Sequence, residues 1–169
     1  MALTIYDMSI PALVRALNNL TALLDKGAAY AEAKKFDVAV LVQSRLYPDM
    51  HPLAKQVQIS CDTAKGAAAR LAGVDPPSHP DNEVSMADLK ARIAKTLEFV
   101  KSIKAEQLDN ADTRAIEVKT PRSTLHFTGL TYLSGFVLPN LYFHISIVYA
   151  LLRHNGVEIG KMDFLGPIT

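Results

Sequence analysis

Apolar residues recur three and four positions apart through most of the chain, a period that predicts helices rather than strands. Leu13, Ala16, Leu17, Leu20 and Leu24 make the buried stripe of a first helix that begins near Ser9. Pro11 then falls in its first turn, where a missing N–H costs nothing. Gly27 is placed to bend or end this helix, and the Ala-rich GAAYAEAKK continues it as a further helical piece. Asp37 reads as the N-cap of a short helix from Val38 to Leu46, stopped by Pro48. A second long helix runs from about His51 to Leu71, with Pro52 in its first turn and Gly73 just beyond its end. Its inward stripe is Leu53, Val57, Ser60, Cys61, Ala64, Ala67, Ala68 and Leu71. Most of these are small, so a neighbouring helix can approach closely.

The following VDPPSHPDNEV has no period and reads as a proline-rich connector. Ser85 and Asp88 then form a capping-box variant that opens a third helix. Met86, Leu89, Ile93, Leu97, Val100 and Ile103 face inward, and Lys90, Arg92, Lys95, Glu98 and Lys101 make its wet side. From Ala115 to Phe127 the period changes to two, around Thr120-Pro121-Arg122-Ser123, which predicts one short β-hairpin. A lone hairpin is marginal and must lean on the helices. The fourth helix begins near Thr128, and Pro139 inside its apolar pattern predicts a kink or break. Asn155-Gly156 ends it, and the tail folds back as loop.

Pro139 to Gly166, PNLYFHISIVYALLRHNGVEIGKMDFLG, starts as a helix apolar on nearly every side, interrupted by His144 and Ser146. Such a helix belongs in a bundle centre or under a second subunit. Four main helices joined by connectors of mixed length make an all-α bundle occupying residues 1–169 as a single domain. The 169 residues carry a formal charge of +1 with no basic cluster, which excludes the concentrated positive field a nucleic-acid binder needs. The run Phe136 to Leu152 is too interrupted for a membrane span, and the N-terminus shows no basic region ahead of an apolar core. With one cysteine there is no disulfide scaffold, and a cytoplasmic setting is expected.

Candidate chemistry rests on few residues. His144 and His154 are ten positions apart, about 15 Å along a helix and about 80° around it, so they do not chelate one ion together. His144, between Phe143 and Ile145, is either a hydrogen-bonded buried histidine or a general base kept neutral by an apolar pocket. His154 sits in the last turn, where an imidazolium suits the helix dipole. If the second and fourth helices pack antiparallel, His51 and His154 can face each other as metal ligands, with Asp49 or Asp163 as oxygen donor. Tyr142 and Tyr149 read as core or interface residues, and Cys61 as a core thiol. Asp62 lies just off the inward stripe with Gln58 and Lys65 beside it on the helix surface. His79 and His126 are expected in solvent. No GxSxG, phosphate-binding glycine loop, CxxC or GxGxxG occurs.

Three separated segments, PDMHPLAKQVQISCDTAKGAAARLAG, FTGLTYLSGFVLPNLYFH and ALLRHNGVEIGKMDFLG, closely resemble an uncharacterised bacterial domain-of-unknown-function family of the DinB/YfiT-like superfamily. The resemblance runs over nearly the whole chain. It implies a DinB-like four-helix bundle, often homodimeric. Many members hold a divalent metal such as zinc or nickel with three histidines, one on the second helix and two at i, i+4 near the end of the fourth. Some of these are thiol-dependent transferases or related isomerases. Here His154, followed by Asn155-Gly156, resembles the last of those ligands, but the preceding ligand position holds Ala150. On the second helix the central residues are Gln56, Gln58 and Cys61, and the histidine is His51 at its start. The resemblance therefore implies an incomplete metal site. The expected function is a homodimeric, ligand-binding or non-catalytic module with no cofactor and a small molecule as its partner. The rival is a metal-dependent transferase with a rearranged site, using His51 and His154 as ligands and His144 as base.

Overall fold

A computed structural model describes residues 3–167. Its helices are α1 (Ile5–Lys34), α2 (Ala39–Gln43), α3 (Leu53–Ala72), α4 (Met86–Ser102), α5 (Gly129–Tyr132), α6 (Leu138–His154) and α7 (Lys161–Leu165). Strands β1 (Ala115–Lys119) and β2 (Thr124–Thr128) form the hairpin between α4 and α5. The long helices enclose one core, with the Leu13, Leu17, Leu20 and Leu24 stripe of α1 and the small-residue stripe of α3 fully buried.

α1 starts earlier than its apolar period suggests. Thr4 Oγ1 accepts from the Asp7 N–H at 3.1 Å and Asp7 Oδ2 accepts from the Thr4 N–H at 3.1 Å, so a reciprocal cap fixes the first turn at Ile5. Pro11 consequently sits in the second turn. Gly27 does not bend the helix, which runs unbroken to Lys34. A Cβ there would lie 2.8 Å from Leu152 Cδ2, so this glycine serves the close approach of α6. Asp37 Oδ1 accepts from the Ala39 N–H at 2.8 Å, but Asp37 lies one position ahead of the N-cap, which is Val38, and α2 ends at Gln43 rather than Leu46.

The hairpin pairs Ile116 with Phe127 and Val118 with Leu125 in antiparallel register. It does lean on the helices, since Phe127 packs 5.7 Å from Tyr132 and 5.6 Å from Phe136 between ring centroids. The irregularity expected at Pro139 is a π turn over Leu133–Val137, inside a continuous helix from Gly129 to His154. Pro139 has no N–H to offer the carbonyl four residues back, and a locally wider turn accommodates that loss. By length and apolarity this 26-residue helix would suffice to cross a bilayer, but Leu141, Ile145, Val148 and Leu151 are buried among protein side chains. Gly156, at φ +91°, follows the end of α6 in a conformation that L side chains rarely adopt.

The polar faces are reassigned at three positions: Gln58 and Lys65, expected on the surface of α3, are buried, and so is Arg92. Arg92 does not lie on the wet side of α4. Its side chain is 1% exposed and meets Asp62 of α3 (2.9 Å) and Asp81 and Glu83 of the connector (3.0 Å each). The proline-rich connector is therefore tied to the bundle by charge, and Gln58 adds a 2.9 Å bond to Glu83. A guanidinium can be buried when several carboxylates converge on its planar fork.

Candidate functional site

α3 and α6 run antiparallel, and a line of polar pairs crosses their seam. Arg70 Nη1 donates to Tyr132 Oη (3.1 Å), Asn140 Nδ2 to Thr63 Oγ1 (2.8 Å), and Gln56 Oε1 lies 2.7 Å from His144 Nδ1. On α3 these residues are seven apart, the spacing that returns to one helix face. On the partner helix Tyr132 and Asn140 are eight apart, because one ordinary turn and the wide π turn lie between them.

The lowest rung is the most reactive. Gln56 is buried, and its Nε2 donates to the His51 carbonyl at 3.2 Å, which orients the amide. Its Oε1 faces His144 and accepts, so His144 Nδ1 carries the proton and Nε2 keeps its lone pair. Nε2 has no protein partner among the described residues and is open to solvent. Burial, reinforced by the nearby His51, holds His144 below the usual imidazole value. The result is a neutral imidazole with a fixed tautomer and one free acceptor nitrogen. It can accept a proton or a hydrogen bond, or serve as one metal ligand.

His51, which is exposed, joins this rung through its carbonyl, which accepts from Gln56, and its charge disfavours a proton on His144. His154 is exposed at the far end of α6, about ten helical residues or 15 Å beyond His144. Asp163, considered as an oxygen donor, is engaged by Lys26 (2.6 Å) and by the Gly160 N–H (2.8 Å). Among the described residues no group of three or more His, Cys, Asp or Glu could hold a metal ion. Two imidazoles and an amide do not make the three-ligand donor set of a catalytic zinc site. Cys61 offers no nucleophile, because burial pushes its thiol up to about 12.

On the other side of α6 lies a cleft of about 400 Å³ between α1, α6 and α7. Ala12, Arg15 and Asn19 line one wall, Tyr142 and Ile145 the second, and Phe164 the third. Asn19 Nδ2 donates to the Phe164 carbonyl at 3.0 Å and Arg15 to the Pro167 carbonyl, so the tail folds back to complete the cleft. Arg15 and Asn19 drew no attention in the sequence. Their four-residue spacing beside the Leu stripe was the available signal, but the tail that gives them a third wall is aperiodic.

The chain matches, over residues 5–165, a family described as a domain of unknown function (DUF1993). It belongs to that family. A similar solved structure is the crystal structure of a DinB family member protein from Shewanella denitrificans, 43% identical over 96% of this chain and 92% of that one, with a TM-score of 0.89. No curated protein matches the chain. The DUF1993 domain thus has the DinB-like helical fold that its three motif segments implied.

Proposed function

We propose that this DUF1993 protein is a dimeric binding module that takes a small, largely apolar ligand in the cleft between α1, α6 and α7. One observation carries the reading: α6 and α7 leave large apolar side chains uncovered, of which Tyr142 and Leu165 line that cleft. Tyr142 is 42% exposed, Phe143 54%, Met162 54% and Leu165 38%. Exposed large apolar side chains grouped on two adjoining helices are characteristic of binding grooves and subunit contacts. The cleft falls in the size range of small-molecule pockets, and Arg15 at its edge suits a carboxylate end on an apolar body.

Octanoate is the probe. Calorimetry should show saturable binding to the wild type and none to Ala12→Trp, whose indole fills the cleft; equal binding to both overturns the ligand reading. For self-association, light scattering should give a dimer for the wild type and a monomer for Phe143→Glu. A wild-type monomer overturns that part.

A second reading, a metal-dependent transferase, is supported by the fixed tautomer of His144 and the nearness of His51. Hydrogen bonding of the distal ring nitrogen to an amide or carboxyl oxygen is what metal-ligating histidines show. Elemental analysis of untagged protein is its test. Stoichiometric metal that is lost in His144→Ala supports it, and protein free of zinc, nickel, iron and manganese, with no thermal stabilisation on adding them, removes it.

A further inference from the structure

We propose that the hollow between the proline-rich connector and α4 is a binding site for a small oxyanion, a carboxylate or sulfate-like group, held by Lys95, His79 and Arg92. The hollow measures about 580 Å³ and lies on a different side of the bundle from the α1/α6/α7 cleft. It does not depend on the octanoate reading.

The first observation is a coincidence of unsatisfied groups. Among the described residues, the buried side-chain nitrogens and oxygens without a hydrogen-bond partner are His79 Nδ1 and Arg92 Nε. Both belong to residues lining this one hollow. Buried polar atoms are nearly always paired, and an orphan marks a missing water, ion or ligand. His79 is thus not in free solvent, as its connector position suggests, but half-buried.

The second observation is which lining groups are already committed. Glu83 is occupied by Arg92 and Gln58, and Asp88 by the Val84 and Ser85 N–H groups and the Ser85 hydroxyl that it caps. Lys95, Ser78 and Asn82 have no side-chain partner among the described residues. Both oxygens of Glu83 and the Oδ2 of Asp88 are engaged, so the free donors, the Lys95 ammonium, the Ser78 hydroxyl and the Asn82 amide, outnumber the one free carboxylate oxygen, Asp88 Oδ1. A cavity with surplus donors and one free ammonium is complementary to an anion.

The local field agrees. Burial holds His79 below the ordinary imidazole value, and Lys65, Arg92 and Lys95 push it further down, with Asp62 pulling the other way. Asp81 is spent on Lys55 and Arg92. An oxyanion placed among these groups reverses the repulsion and favours a proton on His79.

The test is an NMR titration of the histidine rings, with His79 assigned from the His79→Gln spectrum. Sodium sulfate, whose charge is constant over this range, is compared with sodium acetate and with sodium chloride at matched ionic strength. Sulfate or acetate should raise the pKa of His79 by about one unit over chloride, equivalent to about tenfold tighter binding by the protonated form. The sulfate and acetate arms separate a tetrahedral from a planar group. Lys95→Ala, at an exposed position, should fold normally and lose the response. A His79 pKa that moves no further in sulfate or acetate than in chloride, or a response that survives Lys95→Ala, overturns the site and leaves ordinary water to satisfy the two orphans.

Discussion

α3 is joined to its two neighbours by opposite means. Toward α4 it offers Asp62 to the buried Arg92, which also gathers Asp81 and Glu83 from the connector. Toward α6 it offers Gln56, Thr63 and Arg70, which make single hydrogen bonds to His144, Asn140 and Tyr132. The same small stripe of alanines lets both helices approach. The charged side fixes a loop that has no periodic structure of its own. The largely uncharged side aligns two helices that apolar packing already holds, and leaves one imidazole nitrogen open. Charge is thus spent where the chain is irregular, and neutral polar groups where register has to be set.

The comparison breaks most visibly at Arg92. Arg92→Ala leaves Glu83, itself largely buried, without its cation, and losing one partner of a buried pair costs about 3 kcal/mol. Chemical denaturation should show that loss, and Arg92→Ala combined with Glu83→Gln should recover part of it, because the unpaired charge is gone. Equal stability of Arg92→Ala and wild type would mean that the connector is held by packing alone.

Arg92 also marks where the sequence stopped being readable. Leu89, Ile93 and Val100 announce the inward stripe of α4, and the period of 3.6 places them correctly. Arg92 precedes Ile93 and is equally buried, but an arginine carries no sign of burial in its own identity. Its partners lie on α3 and on an aperiodic loop, 30, 11 and 9 residues away. The candidate site was half legible for a related reason. The motif segments carried the DinB-like fold, and His144 and His51 stood out as imidazoles. That Gln56 would orient His144 depends on the π turn, which sets the register of α6 against α3 and leaves no hydrophobic pattern of its own. The α1/α6/α7 cleft depends on the tail, where no period exists.

The two sides of α3 should also come apart with pH. The folded-state pKa of His144 lies below its ordinary 6.5, so the unfolded chain binds more protons in that window. Stability therefore falls as pH drops from 6.5 toward the lowered value, and His79 adds to the same step. Glu83 behaves differently. Burial pushes it up, but the bonds from Arg92 and Gln58 outweigh that and leave it below its ordinary 4.5. Its contribution is intact above 4.5 and is lost as pH falls through the folded value. Urea titrations from pH 8 to pH 3 should show two declines, and His144→Gln should flatten the upper one only. The accompanying Gln56→Leu change strands the His144 Nδ1–H and should cost about 1–3 kcal/mol at pH 7, the desolvation penalty of an unpaired buried donor.

The smallest effect is expected in the middle of the α6 seam. Thr63 is half-buried, and Asn140, its partner at 2.8 Å, borders solvent, so water can replace a lost bond there. Thr63→Val keeps the shape and the β-branching while removing the hydroxyl, and should cost about 0.5–1 kcal/mol, a net neutral hydrogen bond. Its value lies in the comparison with His144. If register along the seam is set by the whole line of pairs, Thr63→Val should also move the His144 pKa toward the ordinary imidazole value, because a loosened seam admits water to the ring. A His144 titration identical to wild type would place the register in Gln56 and the π turn, with Thr63 a bystander. Measured in one protein by NMR and denaturation, the two numbers separate a bond that stabilises from a bond that aligns.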